Sequence, residues 1–225
     1  MIKLSIIIPL AKDDLTYKKL IPDLKKLAKN NEIIFVSTKD NKENNNILKI
    51  KNIKLLISKA GRAKSMNYGA NKASGEYLWF LHADSKFTEN TVSELLKAMR
   101  YYPDCLIYFQ LGFLNDAIKL IKINEWGANF RSKVFKIPFG DQGFCIKKSL
   151  FKKAGSYNES LSYGEDHVFV WQVRQNNIKL HAINTKLYTS SRKYKKHGWL
   201  KTTFIHQYLW LKQAYPEWKK LRKIK

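Results

Sequence analysis

The first hundred residues alternate between short apolar runs and longer amphipathic ones. Lys3 to Leu10 is a β-branched run closed by Pro9, the mark of a first, central parallel strand. Leu15, Leu20, Leu24, Leu27 and Ala28 then recur at helical spacing, with lysine on the opposite face. Further strands are predicted at Glu32 to Ser37, Ile53 to Ile57 and Tyr77 to Leu81, and helices at Ser65 to Ala73 and Asn90 to Arg100. The polar stretch Lys39 to Asn46 reads as a surface loop. This alternation argues an α/β fold with a doubly wound sheet. The second half is less regular. It predicts a strand at Cys105 to Leu111, a long helix from Ala117 to Val134, and a turn from Ile137 into a strand ending near Ile146. A short helix begins at Leu150, a longer one runs from Glu165 to Gln175, and short strands follow at Ile178 to Ile183 and Lys186 to Tyr188. Gly198 to Ala214 is a final helix rich in aromatic residues.

One strand breaks its own pattern. Leu78-Trp79-Phe80-Leu81 is followed by His82-Ala83-Asp84, and packing does not require a carboxylate there. The carboxyl end of a buried strand is where α/β sheets bind ligands. Strand alternation puts His82 and Asp84 on one face, able to converge on a metal-bound phosphate. The structural alternative is that Asp84 caps the next helix, whose first turn would start near Thr88.

Composition changes this picture in two places. The 225 residues are 44% hydrophobic, enough for one domain with a core, and no linker or repeat divides them. No apolar run approaches the roughly 20 residues of a membrane span, and the first run is too short for a signal peptide. Cys105 and Cys145 sit among apolar neighbours without metal-like spacing, as reduced core residues of a cytosolic protein would. The formal net charge of +24 calls for an anionic partner or surface. Only six of the 42 basic residues are arginine, which argues against dedicated nucleic-acid binding. An anionic inner membrane leaflet suits the lysine excess better.

An ordered set of short elements now becomes specific: Gly61-Arg62-Ala63, Met66-Asn67, Gly69-Ala70, Leu81-His82-Ala83-Asp84, Gly140-Asp141-Gln142-Gly143 and Glu165-Asp166. In order and separation it resembles a family 2 glycosyltransferase of GT-A fold, across roughly residues 1 to 195, and is most similar to a small bacterial subgroup. The resemblance implies a mixed sheet flanked by helices. It also implies transfer of a sugar from a nucleotide-diphosphosugar donor to an acceptor hydroxyl, with inversion at the anomeric carbon.

What the resemblance implies can be placed residue by residue. Asp84 matches the last acid of the family's Asp-x-Asp motif, and His82 stands where the first acid would be. One carboxylate with substrate phosphates and waters suffices for Mg²⁺, whereas a ligating imidazole would suit Mn²⁺ better. His82 read structurally is a hydrogen-bonded core histidine. Asp166 matches the general base, with Glu165 supporting it. Acids at a helix start also favour the helix dipole, and adjacent carboxylates can raise one another's pKa. Gly140, Asp141 and Gln142 match the loop lining the donor sugar and acceptor, with a local Asx turn as the plain alternative. Arg62 could reach a donor phosphate or base, or form a surface ion pair. Asn67 belongs to the same donor-side set, as does Ala83, although Asn67 also reads as a buried helix polar residue. Ser191-Arg192-Lys193-Tyr194 and His197 resemble the basic segment near the pyrophosphate, with Arg192 its leading cation. Pro9 and Asp13 match the loop that cups the nucleobase. The acid expected after the second strand is replaced by Ser37-Thr38-Lys39-Asp40, so uridine and guanosine donors both stay open.

The final helix carries Leu200, Phe204, Tyr208 and Leu211 beside Lys201, Lys212, Lys219 and Lys220. It reads as an arm over the catalytic domain or as an interfacial helix on anionic lipid near a lipid-linked acceptor. The expectation is therefore a catalytic domain over 1–195, a basic and aromatic extension over 196–225, and a cytoplasmic or peripheral inner-membrane location. A nucleotidyltransferase and a non-catalytic nucleotide-sugar-binding protein are the alternatives. The first should show a glycine-rich phosphate loop, which Pro9 to Asp14 lacks. Against the second stands retention of both Asp84 and Asp166.

Overall fold

A computed structural model describes residues 3–28, 30–114 and 119–224. Strands β1 (Leu4–Pro9), β2 (Glu32–Ser37), β3 (Lys54–Ile57) and β4 (Tyr77–Phe80) are separated by helices α1 (Tyr17–Leu27), α2 (Asn44–Leu48) and α3 (Arg62–Lys72). The chain continues through α4 (Thr91–Tyr101), β5 (Cys105–Phe113), α5 (Ile121–Val134) and β6 (Cys145–Lys147). Then come α6 (Lys148–Lys153), α7 (Glu165–Gln175), β7 (Lys179–Thr189), α8 (Arg192–His197) and α9 (Trp199–Ile224). All seven strands join one sheet in the order β3-β2-β1-β4-β6-β5-β7. The strand β6 runs antiparallel to β4 and β5, while the other pairs are parallel. This is the mixed α/β sheet expected.

The strands read as continuous apolar runs because helices cover both faces. Leu4, Ile6 and Ile8 of β1, with Tyr77 and Trp79 of β4, pack against Leu20, Leu24, Leu95 and Met99 of α1 and α4. The alternate residues Ile7, Leu78 and Phe80 pack against Met66 and Ala70 of α3, Phe151 of α6 and Phe169 of α7. Burying each such side chain contributes roughly 1.5–3 kcal/mol. Cys105 and Cys145 are buried free thiols within these layers.

Four boundaries differ from the sequence reading. The polar stretch at 39–46 runs into α2, anchored by buried Ile47, with Asn41 held by Ser37 at 2.8 Å. The two short strands expected near the end are one strand, β7, whose register with β5 slips between Phe109 and Gln110. That irregularity absorbs the polar Asn184-Thr185 interruption. Helix α9 passes through Pro216 and ends at Ile224 rather than Ala214. The helix expected from Ala117 starts at Ile121, and Ala117 itself lies outside the described residues.

Two features organise the segments around the sheet's carboxyl edge. Lys86 pairs with Tyr188 in both directions, at 2.8 and 3.1 Å, and so ties the segment after β4 to the end of β7. Helix α9 packs on α7 through a cluster of Ile137, Trp171 and Leu221, with Phe139, Trp210 and Ala214 against it. No helix among the described residues is long and apolar enough to cross a membrane.

Candidate active site

A cavity of about 590 Å³ opens beyond the carboxyl ends of β4 and β7. His82 and Asp84 enter it from the turn after β4, and Thr189 from the end of β7. The Lys86–Tyr188 pairing holds that turn, and the Thr189 hydroxyl donates to Asp84 Oδ1 at 3.2 Å. Asp166 enters from the first turn of α7, Arg62 from the first turn of α3, and Asp141 from a 3₁₀ turn at Gly140–Gln142. Thus Asp84 and Asp166, distant in sequence, line a single hollow.

One wall is a closed ionic network. Arg62 Nε donates to the buried Glu165 Oε1, and its Nη2 lies 3.5 Å from Asp166 Oδ1. Arg62 Nη1 stands 3.3 Å from His82 Nε2. With the guanidinium donating, that nitrogen accepts and the imidazole proton sits on Nδ1. Burial, reinforced by the Arg62 charge, pushes His82 down to about 4, so the ring is neutral near pH 7. Asp166 Oδ2 accepts the Gly140 N–H at 2.7 Å, and Oδ1 accepts the His167 N–H at 2.9 Å. Burial acts to raise Asp166, but the Arg62 charge and these two N–H groups hold it below the ordinary carboxylate value. The mutual raising expected of adjacent acids does not govern Asp166, because a cation sits between them. Glycine at 140 is required for this approach: a Cβ there would lie 2.8 Å from Asp166 Oδ2.

The opposite wall is built by α5, α9 and the 3₁₀ turn. Arg131 of α5 lies over the Phe139 ring at 3.6 Å and donates through Nε to the Ile137 carbonyl at 3.0 Å. Burial lowers it to about 10. Asp141 is pushed up to about 6 by burial and by the neighbouring Asp166 charge, and its buried Oδ1 has no hydrogen-bond partner. Trp199, His206 and Trp210 of α9 complete this side. Gln213 pins α9 to α7 by donating to the Tyr163 carbonyl at 2.9 Å, and its Oε1 lies 3.4 Å from His167 Nδ1.

Of the residues singled out from sequence, Arg62, His82, Asp84, Asp141 and Asp166 meet in the cavity. Arg62 pairs there with Glu165 and Asp166 and keeps its side chain 39% exposed. Glu165 is buried beneath it. Asn67 clamps the Tyr157 backbone through both ends of its amide, at 2.8 and 3.0 Å, and touches Glu159 at 2.9 Å. Ala83 is a core residue. Gln142 is wholly buried, accepting from Ser132 and the Phe139 N–H and donating to the Phe109 carbonyl. Pro9 is half-buried at the end of β1, and exposed Asp13 accepts the Lys42 N–H at 3.2 Å. Arg192 reaches Asp14 with both terminal nitrogens, at 3.3 and 2.9 Å, while its neighbours Lys193 and Tyr194 line the cavity. Arg131, Thr189 and Trp210 were not foreseen. A helical-period reading gives Arg131 and Trp210 no special weight, and only the fold places them here.

Among the described residues no group of three or more His, Cys, Asp or Glu side chains is placed to hold a metal alone. The donor set is one hard carboxylate, Asp84, beside an imidazole whose Nε2 faces Arg62. That fits a cation completed by substrate phosphates and water, and does not favour His82 as a ligand.

A model of the family described as Glycosyl transferase family 2 matches residues 5–155. Among solved structures, the chain is similar to S. aureus TarS, with TM-score 0.65 and 15% identity over 84% of this chain and 37% of that one. TarS 1–349 in complex with UDP-GlcNAc gives 0.63 and 17% over 84% and 59%, and its complex with UDP gives 0.62 and 16% over 84% and 60%. At such identities the likeness concerns the fold. The present chain spans between about a third and three-fifths of the length of these chains. No curated protein matches it.

Proposed function

The chain belongs to glycosyl transferase family 2, and we propose that it transfers a sugar from a nucleotide-diphosphosugar to an acceptor hydroxyl, with inversion, by single displacement. One observation carries this reading: Asp84 and Asp166 line the same cavity from separate elements. Asp166, held ionised by Arg62, accepts the acceptor's proton as its oxygen bonds to the anomeric carbon and the bond to the diphosphate breaks. The attacking oxygen becomes strongly acidic as it bonds, so a carboxylate of low pKa is basic enough and is already deprotonated. Gly140 N–H and Arg62 orient Asp166, and Glu165 holds Arg62. Lys193 and Thr189 also line the cavity, Thr189 bonded to Asp84, and in this reading they would serve the departing diphosphate. Asp84 would hold Mg²⁺ or Mn²⁺, which when bound supplies charge to neutralise the leaving diphosphate.

Residues 1–195 form the catalytic unit in this reading and 196–225 the arm over it. The arm also supports a peripheral membrane reading, at the inner face of a cell membrane. Leu200, Phe204 and Tyr208 of α9 and Trp126 of α5 are exposed, at 62%, 72%, 65% and 68%, among exposed lysines. Sedimentation with anionic liposomes at low salt tests this, and recovery in the supernatant removes it. For the transferase itself, a thermal-shift screen of nucleotide diphosphosugars with and without Mn²⁺ should raise Tm for one base. No response to any would overturn the reading.

A further inference from the structure

We infer that Arg131 is an oxyanion-binding residue, and that the acceptor taken by the cavity carries a phosphate or carboxylate group besides the hydroxyl that reacts. The inference rests on the transferase reading and names the acceptor's charge class. No residue of α5 belongs to the short sequence elements that carry the family resemblance, so Arg131 enters on its geometry alone. It is half-buried and lines the cavity. Of its fork of N–H donors only Nε is engaged, by the Ile137 carbonyl at 3.0 Å. Among the described residues Nη1 and Nη2 have no hydrogen-bond or ion-pair partner, and neither is one of the unpartnered polar atoms closed off from solvent.

The group is held in a fixed plane. The Phe139 ring lies 3.6 Å from the guanidinium carbon and Trp210 borders it at 6.0 Å. Stacking occupies a face of the guanidinium and leaves the edge that bears both terminal nitrogens. That edge binds a phosphate or carboxylate through two parallel bonds. An arginine serving packing alone would have its donors satisfied and its charge paired, as Arg62 is by Glu165 and Asp166 on the opposite wall. A neutral ligand closing over Arg131 would leave the charge unpaired. Asp141 and Asp166 attract Arg131 only from beyond ion-pair distance. Arg131 is thereby on the side of the proposed proton acceptor, whereas Asp84, assigned to the donor's cation, is bonded to Thr189 at the end of β7. The anion therefore belongs to the molecule that gives up its proton. The chain's net charge of +24 suits the approach of such a substrate.

The test is calorimetry on the full chain. UDP and GDP are titrated first. With whichever nucleotide binds kept saturating, methyl glucoside, galactoside and mannoside are compared with their 6-phosphates and with methyl glucuronide and galacturonide. These arms separate a phosphate source from a carboxylate source, and inorganic phosphate is titrated beside them. The expected result is at least one charged glycoside bound about tenfold or more tighter than its neutral parent, the size of a charge-assisted contact. That preference should fall to about twofold or less in Arg131→Gln and in Arg131→Met, with nucleotide affinity unchanged. The methionine keeps an apolar stem over Phe139, so a fold defect in one variant leaves the other informative. Absence of any preference in the unaltered chain overturns the inference without a variant, and so does a preference kept in a folded variant. Inorganic phosphate binding as tightly as every charged glycoside overturns it as an adventitious ion only. Nucleotide affinity lost with the arginine also overturns it, because Arg131 would then serve the donor. All these failures leave the transferase reading standing. Absence of binding by any nucleotide removes both readings, so the two failures are distinguishable.

Discussion

The two walls of the cavity differ in how far their polar groups satisfy one another. On the α3–α7 wall, Arg62, Glu165, Asp166, His82 and the Gly140 N–H pair with one another, Glu165 buried and the Arg62 side chain still 39% exposed. On the α5–α9 wall, Asp141 Oδ1 and Trp210 Nε1 have no partner, and among the described residues no carboxylate lies within ion-pair reach of Arg131. Both walls combine charge with burial. The first keeps the Asp166 carboxylate ionised, as the proposed role of proton acceptor would require. The second leaves two buried polar atoms without a partner. The same contrast sets the two aspartates apart: Asp166 is lowered and Asp141 is raised to about 6.

The largest effect should come from the paired wall. Asp166→Asn should lower transfer by roughly 10²–10⁴-fold, the range a positioned general base supplies, while nucleotide affinity is unchanged. Kinetics with separate nucleotide titration would show it, and substantial retained turnover would take Asp166 out of the chemistry. Next is Arg62→Met, which strands the Glu165 carboxylate in its buried site. Urea unfolding should show a loss of about 3–5 kcal/mol. Adding Glu165→Gln should recover much of that loss, since the uncompensated charge is then gone. If Arg62→Met were harmless, the network would not be the closed unit described.

Third is the opposite wall's own titration. The folded pKa of Asp141 lies at about 6, above its ordinary value of 3.8. Between those two values the folded chain holds a proton that the unfolded chain has released. Stability therefore falls as pH rises through that window, and the loss is complete above it. Asp141→Asn should remove this cost and stabilise the fold by on the order of 3 kcal/mol at pH 7 to 8, with no gain below the ordinary value. Asp166 has the opposite sign: its lowered pKa stabilises the fold above the ordinary carboxylate range and is lost as pH falls through the folded value. Denaturant titrations of the Asp141 variant at pH 4 and 7.5 would reveal the difference.

Most of the α/β order was legible in sequence because apolar periodicity and strand length decide it, as in β1, β4 and α7. The sequence reading placed Asp84 and Asp166 at the ends of an apolar strand and of a glycine-led helix, and both line the cavity. It left alternatives open where tertiary contacts override local pattern, and for Asn67 the reading as a polar helix residue is the one its backbone contacts match. The Asn67 amide is consumed by the Tyr157 backbone, 90 residues away, and Gln142 by Phe109 and Ser132. Arg192 turns to Asp14, leaving its neighbour Lys193 in the cavity. Which of several adjacent cations faces a ligand depends on how α8 is oriented, and spacing does not encode that. Trp210 was visible only as one aromatic residue among many on α9.

The smallest expected effect concerns how α9 is attached. Gln213 is its main polar link to the start of α7, through the Tyr163 carbonyl and His167. Gly164 supports that contact with a left-handed φ of +69°, and any Cβ there would collide with the Gln213 amide. Removing the link by Gln213→Ala forfeits about one net hydrogen bond, so thermal unfolding should report about 1 kcal/mol. The apolar cluster of Ile137, Trp171 and Leu221 remains to hold the helix. Because only the α9 wall is loosened, the stability losses of Gln213→Ala and Arg62→Met should add in the double variant. Losses that fail to add would mean that the two walls respond as one body, and the division between a paired half and an unpaired half would not hold.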